Sequence, residues 1–142
     1  HARRARVVLQ WRAIKGKLGK GTHRALEEIF LKNKIGDHRL RALWALHVTG
    51  GLSESKLLKH LDDKDAHIRS WSIQLLCEDN NPSTEALLKF ASMAKLDLSP
   101  VVRLYLASAL QRMPLGDRWA IATGLVAHPE SRVLVVMSLV RG

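Results

Sequence analysis

The sequence predicts an all-α fold in which helix pairs stack into an α-solenoid of about four repeats and eight to nine helices. Apolar residues recur at helical rather than strand spacing through most of the 142 residues. Capping residues, Gly or Pro interrupt this pattern every 10 to 15 residues or so. Three of the segments also share one arrangement of residues, and helix pairs that repeat in this way bury their apolar faces by stacking.

The periodicity predicts helices at about residues 2–15, 22–33, 38–49, 54–61, 66–77, 83–95, 100–112, 117–127 and 130–140. Short polar side chains accept hydrogen bonds from first-turn amides, and the predicted N-caps are Thr22, Asp37, Ser53, Asp65, Asn81 and Ser99. Pro100 suits a first helical position because no hydrogen bond is needed from its nitrogen. Stops or turns are predicted at Gly16, Gly36, Gly50, Gly51 and Pro114.

The last element, "RVLVVMSLV", has the β-branched composition of a strand. The sequence offers no second strand to pair with it, and we therefore predict a buried helix.

Three helices repeat a cap, an aliphatic residue three positions later, an arginine, and a large apolar residue two positions further on. They are "DHRLRALWALHV", "DAHIRSWSIQLL" and "SPVVRLYLASAL". The arginines are Arg41, Arg69 and Arg103, separated by 28 and 34 residues. "RVLVVMSL", which begins at Arg132, is interpreted as the start of a further copy 29 residues after Arg103.

The repeated arginines are predicted to be structural. If Ile68, Trp71, Ser72, Leu75 and Leu76 form a buried stripe, Arg69 lies at its edge in the first helical turn. A cation at a helix N-terminus is mildly unfavourable and requires a compensating acceptor. A guanidinium can bond several acceptors at once. We expect carboxylates or carbonyls of the preceding turn or of the adjacent repeat, with candidates Asp62, Asp63 and Asp65 for Arg69 and Asp97 for Arg103.

The net charge of +10 is concentrated at one end of the chain. Residues 1–41 contain 12 Lys/Arg against 3 Asp/Glu, whereas residues 42–142 contain 11 against 10. A basic interaction surface is a hypothesis for Arg3, Arg4, Arg6, Arg12, Lys15, Lys17 and Lys20. These side chains could dock on a neighbouring protein domain or remain solvated. The alternative is nucleic-acid binding, since Trp11 lies among them and aromatic rings can stack on bases.

No catalytic or metal constellation stands out in the sequence. His60, Asp62, Asp63, Asp65 and His67 are clustered, but adjacent aspartates in a turn usually shape the backbone, and the spacing matches no zinc or calcium motif. "KGKLGKG" lacks the strand and the Lys-Ser/Thr of a P-loop and is interpreted as a basic turn. We expect no enzyme activity and no metal or cofactor in this chain. We also expect Cys77 to be buried and no membrane insertion.

The segment "LLKHLDDKDAHIRSWSIQLL" resembles a HEAT repeat of the short bacterial kind. More specifically, "RLRALWALHVTGGL", "HIRSWSIQLLCED", "SPVVRLYLASALQRMPLGDRW" and "HARRARVVLQWRA" resemble the HEAT-repeat region of the PVC-type haem-binding CxxCH proteins, a family of putative membrane-bound dehydrogenases. The resemblance implies HEAT-like helix pairs placed between a β-propeller and a cytochrome c-like domain in an exported, periplasmic protein. It also implies that haem c is bound elsewhere in the parent protein.

None of that family's functional residues carries over, because this sequence contains no CxxCH. The expected function is therefore a non-catalytic scaffold whose partners are protein domains, chiefly its intramolecular neighbours. Residues 1–142 are predicted to form a single HEAT-like repeat domain, and a start at His1 suggests a fragment of a larger protein.

Overall fold

A computed structural model describes residues 2–140, with the side chains of residues 2, 3, 6, 139 and 140 outside the description. Within those residues the chain is all-helical. The helices are α1 (Ala2–Ile14), α2 (Thr22–Lys32), α3 (Gly36–Val48), α4 (Glu54–His60), α5 (Ala66–Leu76), α6 (Thr84–Leu96), α7 (Pro100–Ala109), α8 (Leu115–Val126) and α9 (Arg132–Val140). Short 3-10 turns extend α7 over Leu110–Arg112 and precede α9 over Pro129–Ser131. The prediction of an all-α fold is confirmed, and the last element is a helix.

The chain divides into two compact units, His1–Lys56 and Leu57–Gly142. In the first unit α1 and α2 both pack on α3. In the second unit α5 packs on α7, α7 on α9, and α6 on α8. Each of these three contacts joins helices two positions apart in the chain. The single-domain assignment of residues 1–142 stays a prediction.

Three of the predicted N-caps occupy the cap position. Asp65 Oδ1 accepts a hydrogen bond from the His67 N–H at 2.9 Å. Ser53 Oγ accepts from the Lys56 N–H at 3.4 Å. Ser99 occupies its cap position without a side-chain cap bond.

The other three predicted N-caps were wrong. Gly21 rather than Thr22 caps α2. Asp37 lies inside α3, which follows Ile35. Ser83 replaces Asn81, since its hydroxyl accepts from the Ala86 N–H at 3.2 Å.

Two predicted glycine stops have a specific backbone geometry. After α1, Gly16 has a φ of 62°, and its N–H and that of Lys17 donate to the carbonyls of Ala13 and Arg12. After α3, Gly50 has a φ of 74° and the same bonding pattern. The left-handed conformation is the one that glycine adopts without a Cβ clash, which is why these helices end here.

The buried stripe of α5 differs in part from the predicted one. Ile68 and Ile73 are fully buried, whereas Trp71 is half-buried. The Trp71 ring lies 6.1 Å from that of Tyr105 on α7, centroid to centroid. Cys77 is buried as predicted, and burial raises the pKa of its thiol to about 12.

Gly124 of α8 allows α8 to approach α6 closely. A Cβ built at Gly124 would lie 2.9 Å from Ala94 Cβ and 3.2 Å from the Ala94 carbonyl carbon. The second atom belongs to the backbone and cannot rotate away. A side chain at residue 124 therefore requires α6 and α8 to separate.

Gly124→Ala is expected to lower the free energy of unfolding by about 1 to 3 kcal/mol, the usual range for overpacking a filled interior. Gly116→Ala is the matched control, because a Cβ at Gly116 of the same helix meets nothing within 4 Å. There the gain in helix propensity should leave stability unchanged or raise it by up to about 1 kcal/mol. Chemical denaturation of both variants measures the difference, and equal midpoints would contradict the close approach of α6 and α8.

Candidate functional site

A turn with a fixed hydrogen-bond pattern precedes three of the helices. An Asn or Asp side chain accepts a hydrogen bond from the backbone N–H two residues later, and that later residue is the N-cap of the helix. The three pairs are Asn33 with Ile35, Asp63 with Asp65, and Asp97 with Ser99, each at 2.9 Å. Such turns are a common use of short polar side chains. As a result, three helices begin with the same local backbone geometry.

An arginine follows each of these turns by six residues. Arg69 Nη1 donates to the Asp63 carbonyl at 2.8 Å, and Arg103 Nη1 donates to the Asp97 carbonyl at 2.6 Å. Arg132 Nε donates to the Val126 carbonyl at 3.1 Å with the same spacing. We call Arg39, Arg69 and Arg103, which follow these turns, and Arg132, which makes a carbonyl contact at the same spacing, the turn arginines. The interpretation of Arg132 as the start of a further copy agrees with this shared contact.

In the first copy the turn arginine is Arg39 and not the predicted Arg41. Arg39 is buried, donates from Nε to the Phe30 carbonyl at 2.9 Å and lies 4.9 Å from the Phe30 ring centroid. The Arg41 side chain is 52% exposed, with Nη2 3.9 Å from the Asp37 carboxylate. The reason is the position of the turn. Asn33 begins the turn that leads into α3, and it lies six residues before Arg39. Aligning Asn33 with Asp63 and Asp97 would have revealed this register in the sequence.

Two turn arginines also pair with a carboxylate from the turn before the helix two positions later in the chain. Arg69 makes a bidentate pair with Asp97, with Nε and Nη2 each 2.8 Å from a carboxylate oxygen. Arg103 pairs with the Glu130 carboxylate. The predicted partners Asp63 of Arg69 and Asp97 of Arg103 are both present, as carbonyl acceptors, and the Asp97 carboxylate is an additional partner of Arg69. Asp97 gives its carboxylate to Arg69 and its carbonyl to Arg103, while the side chain of Asp63 is engaged in the turn itself.

The electrostatics follow this arrangement. The hydrogen bonds to Asp97 raise the pKa of Arg69 above its ordinary value, against the opposing effect of burial. The pKa of Glu130 is lowered, chiefly by a backbone hydrogen bond and then by the hydrogen bond from Arg103. The side chains of Arg69 and Asp97 are 17% and 7% exposed. These groups face each other rather than an open cleft, which agrees with the prediction of a structural role.

The basic interaction surface lies mainly on α1 and the turn after it. Arg4, Arg12, Lys15, Lys17 and Lys20 are all exposed. Arg3 and Arg6 belong to the predicted surface, but their side chains lie outside the described residues. The first acidic residue in the sequence is Glu27, and eight Lys/Arg precede it. This end of the chain therefore attracts anions over distances of about a Debye length.

Apolar side chains are interleaved with these cations. Trp11 is 58% exposed, and Lys15 Nζ lies 4.1 Å from its ring centroid. Val7 and Val8 line the same shallow depression of about 190 Å³. The chemistry of this surface is complementary to a partner that combines negative charge with apolar groups.

The histidine and aspartate cluster does not assemble into a ligand set in the structure. Asp62 pairs with Lys89, and Asp65 caps α5. Across the described side chains, no group of three or more His, Cys, Asp or Glu residues could hold a metal ion. None of the described helices has the length and apolar character needed to cross a membrane.

The tryptophans differ in their surroundings. Trp44 and Trp71 are half-buried, while Trp119 of α8 is 62% exposed. Trp119 is thus a second exposed tryptophan, which the helical register alone did not reveal.

Searches of protein-family models, curated proteins and solved structures found no match to this chain.

Arg69→Ala is expected to lower the free energy of unfolding by about 1 to 3 kcal/mol, because Asp97 and the Asp63 carbonyl both lose a charged donor. Arg69→Lys should recover only part of this loss, because an ammonium cannot reproduce the bidentate geometry. Arg24→Ala is the control, since the Arg24 side chain is 85% exposed. Urea denaturation measures all three, and an Arg69→Ala midpoint equal to that of Arg24→Ala would refute the structural role.

Proposed function

We propose that this chain is a non-catalytic scaffold of the HEAT type, an α-solenoid that holds neighbouring protein domains in place. The observation that carries the proposal is the repeated turn and arginine in residues 57–140. There the turn bonds its own helix through a carbonyl and, where the contact is described, the helix two positions earlier in the chain through a carboxylate. A contact of this kind joins one repeat to the next and suits a stack in which neighbours stabilise each other.

The helix packing supports the same proposal. In the second unit α5, α7 and α9 contact one another in series, and α6 contacts α8. Two rows of helices with contacts between second neighbours are the arrangement expected when helix pairs stack. The carboxylate contacts of Arg69 and Arg103 lie along one of these rows.

The resemblance to the PVC-type haem-binding CxxCH proteins gives the proposed setting. In that setting the scaffold lies between a propeller domain and a cytochrome c-like domain of an exported redox protein, and haem c belongs to the parent protein. The basic interaction surface then docks an acidic face of a neighbouring domain. The excess of cations is concentrated in residues 1–41. This favours docking at one end of the chain over a basic surface that recurs in each repeat.

Nucleic-acid binding is the second candidate function, and one observation favours it. Trp11 is exposed beside Arg12, Lys15 and Lys17, which would allow a base to stack while phosphates pair with the cations. The scaffold remains the preferred proposal because Nη1 and Nη2 of both Arg69 and Arg103 donate within the fold. The nucleic-acid surface would be the described cations of α1 and the following turn, beside Trp11.

Stacked repeats respond locally to a substitution, and hydrogen exchange tests this property of the scaffold. Arg103→Ala is expected to reduce amide protection in α7 and α9 by about tenfold or more, and to leave α2 and α3 unchanged. Lys64→Ala is the control, because the Lys64 side chain is exposed. An equal loss of protection in every helix would contradict a stack of coupled neighbours and support one cooperative core.

Fluorescence anisotropy with labelled single-stranded DNA separates the two functions. The scaffold proposal predicts weak binding, little affected by Trp11→Ala. Nucleic-acid binding predicts an affinity that falls steeply between about 50 and 200 mM salt and is reduced by Lys15→Glu. Lys64→Glu makes the same charge change on the second unit and is the matched control. Tight binding that both Trp11→Ala and Lys15→Glu abolish, and Lys64→Glu does not, would overturn the scaffold as the main function.

A further inference from the structure

A groove in the first unit has the composition of a ligand site. It lies among α1, α2 and α3 and has a volume of about 320 Å³. Its wall is formed by Leu9, Leu26 and Ile29, and its floor includes Ala42 and Ala45, which are buried. Alanine at both α3 positions leaves the space open, because larger side chains there would fill it. The volume is at the small end of the range for ligand pockets, which begins at about 300 Å³.

The polar residues of the groove lie at one end. Asn33, His38 and Arg41 line it near the turn between α2 and α3. Leu26 lies one to two turns back along α2, and Ala45 lies one turn beyond Arg41 on α3. The two helices are joined by a short turn and pack together. The groove therefore has a polar end at the turn and an apolar end away from it.

The charge of the polar end is positive. Arg41 is the cation there, and its contact with Asp37 is a weak one, at 3.9 Å with the Asp37 side chain 80% exposed. Asn33 Oδ1 accepts from the Ile35 N–H, so the group that Asn33 can offer to an anion is its amide NH2. No Asp or Glu is found among the residues described as lining this groove. The surrounding residues 1–41 add a net excess of cations.

We propose that this groove binds a single-chain aliphatic carboxylate, with the carboxylate at Arg41 and the chain along Ala42 and Ala45. Charge complementarity identifies the head group, since a guanidinium pairs with a carboxylate in a bidentate geometry. The size of the groove identifies the tail. It holds about ten water volumes, and a chain of roughly eight to twelve carbons fills it if each methylene takes about the room of one water. The site is separate from the turn arginines and does not depend on the scaffold function.

Titration calorimetry of the 142-residue chain with dodecanoate, below its critical micelle concentration, tests the proposal. Saturable binding is expected with one site per chain. Shortening the chain to decanoate and octanoate should weaken binding by about two- to fourfold per methylene, because each buried methylene contributes to transfer from water. Dodecanol and dodecyltrimethylammonium carry the same tail without the anion and should bind at least about tenfold more weakly. Absence of saturable dodecanoate binding overturns the proposal.

Substitutions locate the site. Arg41→Gln should weaken dodecanoate binding about tenfold and leave the binding of dodecanol unchanged. Arg24→Gln removes an equal charge from an exposed position of α2 that does not line the groove, and should have little effect. Equal losses in the two variants would show that general attraction to the basic unit, rather than Arg41, holds the anion, and the proposal would fail.

Filling the groove provides the last test. Ala5 lines the groove from α1 and is exposed, so Ala5→Phe can place a ring in the space. Binding of dodecanoate and of dodecanol should both be lost, with the circular dichroism melting curve unchanged. Where that curve does change, Ile29→Trp fills the groove from α2, because Ile29 is 43% exposed. Undiminished binding in a folded filled variant would overturn the site.

Discussion

The guanidinium groups of Arg69 and Arg103 hold the second unit together at the points where its helices begin. Each one donates to a carbonyl of the turn before its own helix and to a carboxylate of the turn before the helix two positions later. A buried guanidinium is costly to desolvate, and this cost is offset only when most of its donors are used. The turns at residues 63–65 and 97–99 must therefore keep their geometry, and the helices after them are placed by it. The contacts of α5, α7 and α9 follow from these placements.

Close packing between helices is the second constraint, and it acts at positions without polar contacts. Gly124 lies against Ala94, so α8 approaches α6 without a side chain of its own at this point. Ile68, Ile73, Phe90 and Leu106 fill the interior of the second unit. The arginines fix where a helix begins, whereas the apolar side chains determine how near it lies to its neighbour. Both are needed, because hydrogen bonds alone contribute little net stability.

The first unit shares the turn but presents a different surface. Its turn arginine, Arg39, is buried beside Phe30, and this leaves Arg41 exposed at the mouth of an apolar groove. On α1 and the turn after it, exposed cations line a depression together with Trp11, Val7 and Val8. The scaffold proposal rests on the second unit, while both candidate binding surfaces lie in the first. Such a division between the units is expected when one part of a chain stabilises the fold and another part binds a partner.

The sequence by itself determined the all-α fold, the approximate limits of the helices, the burial of Cys77 and the contacts of Arg69 and Arg103 with the turns before their helices. These properties are local or periodic, and they follow from apolar spacing and from glycine stops such as Gly16. It also determined which end of the chain is basic. The register that makes Arg39 the turn arginine is present in the sequence, in the alignment of Asn33 with Asp63 and Asp97, but the structure was needed to show that these residues begin the turns. Only the tertiary structure decided that Asp97 pairs with Arg69, and that Trp71 is half-buried while Ile73 is fully buried. The physical reason is that a cap position, an ion pair and a buried face depend on how distant segments are oriented, and two arginines separated by one residue on a helix look equivalent until the turn before them is fixed.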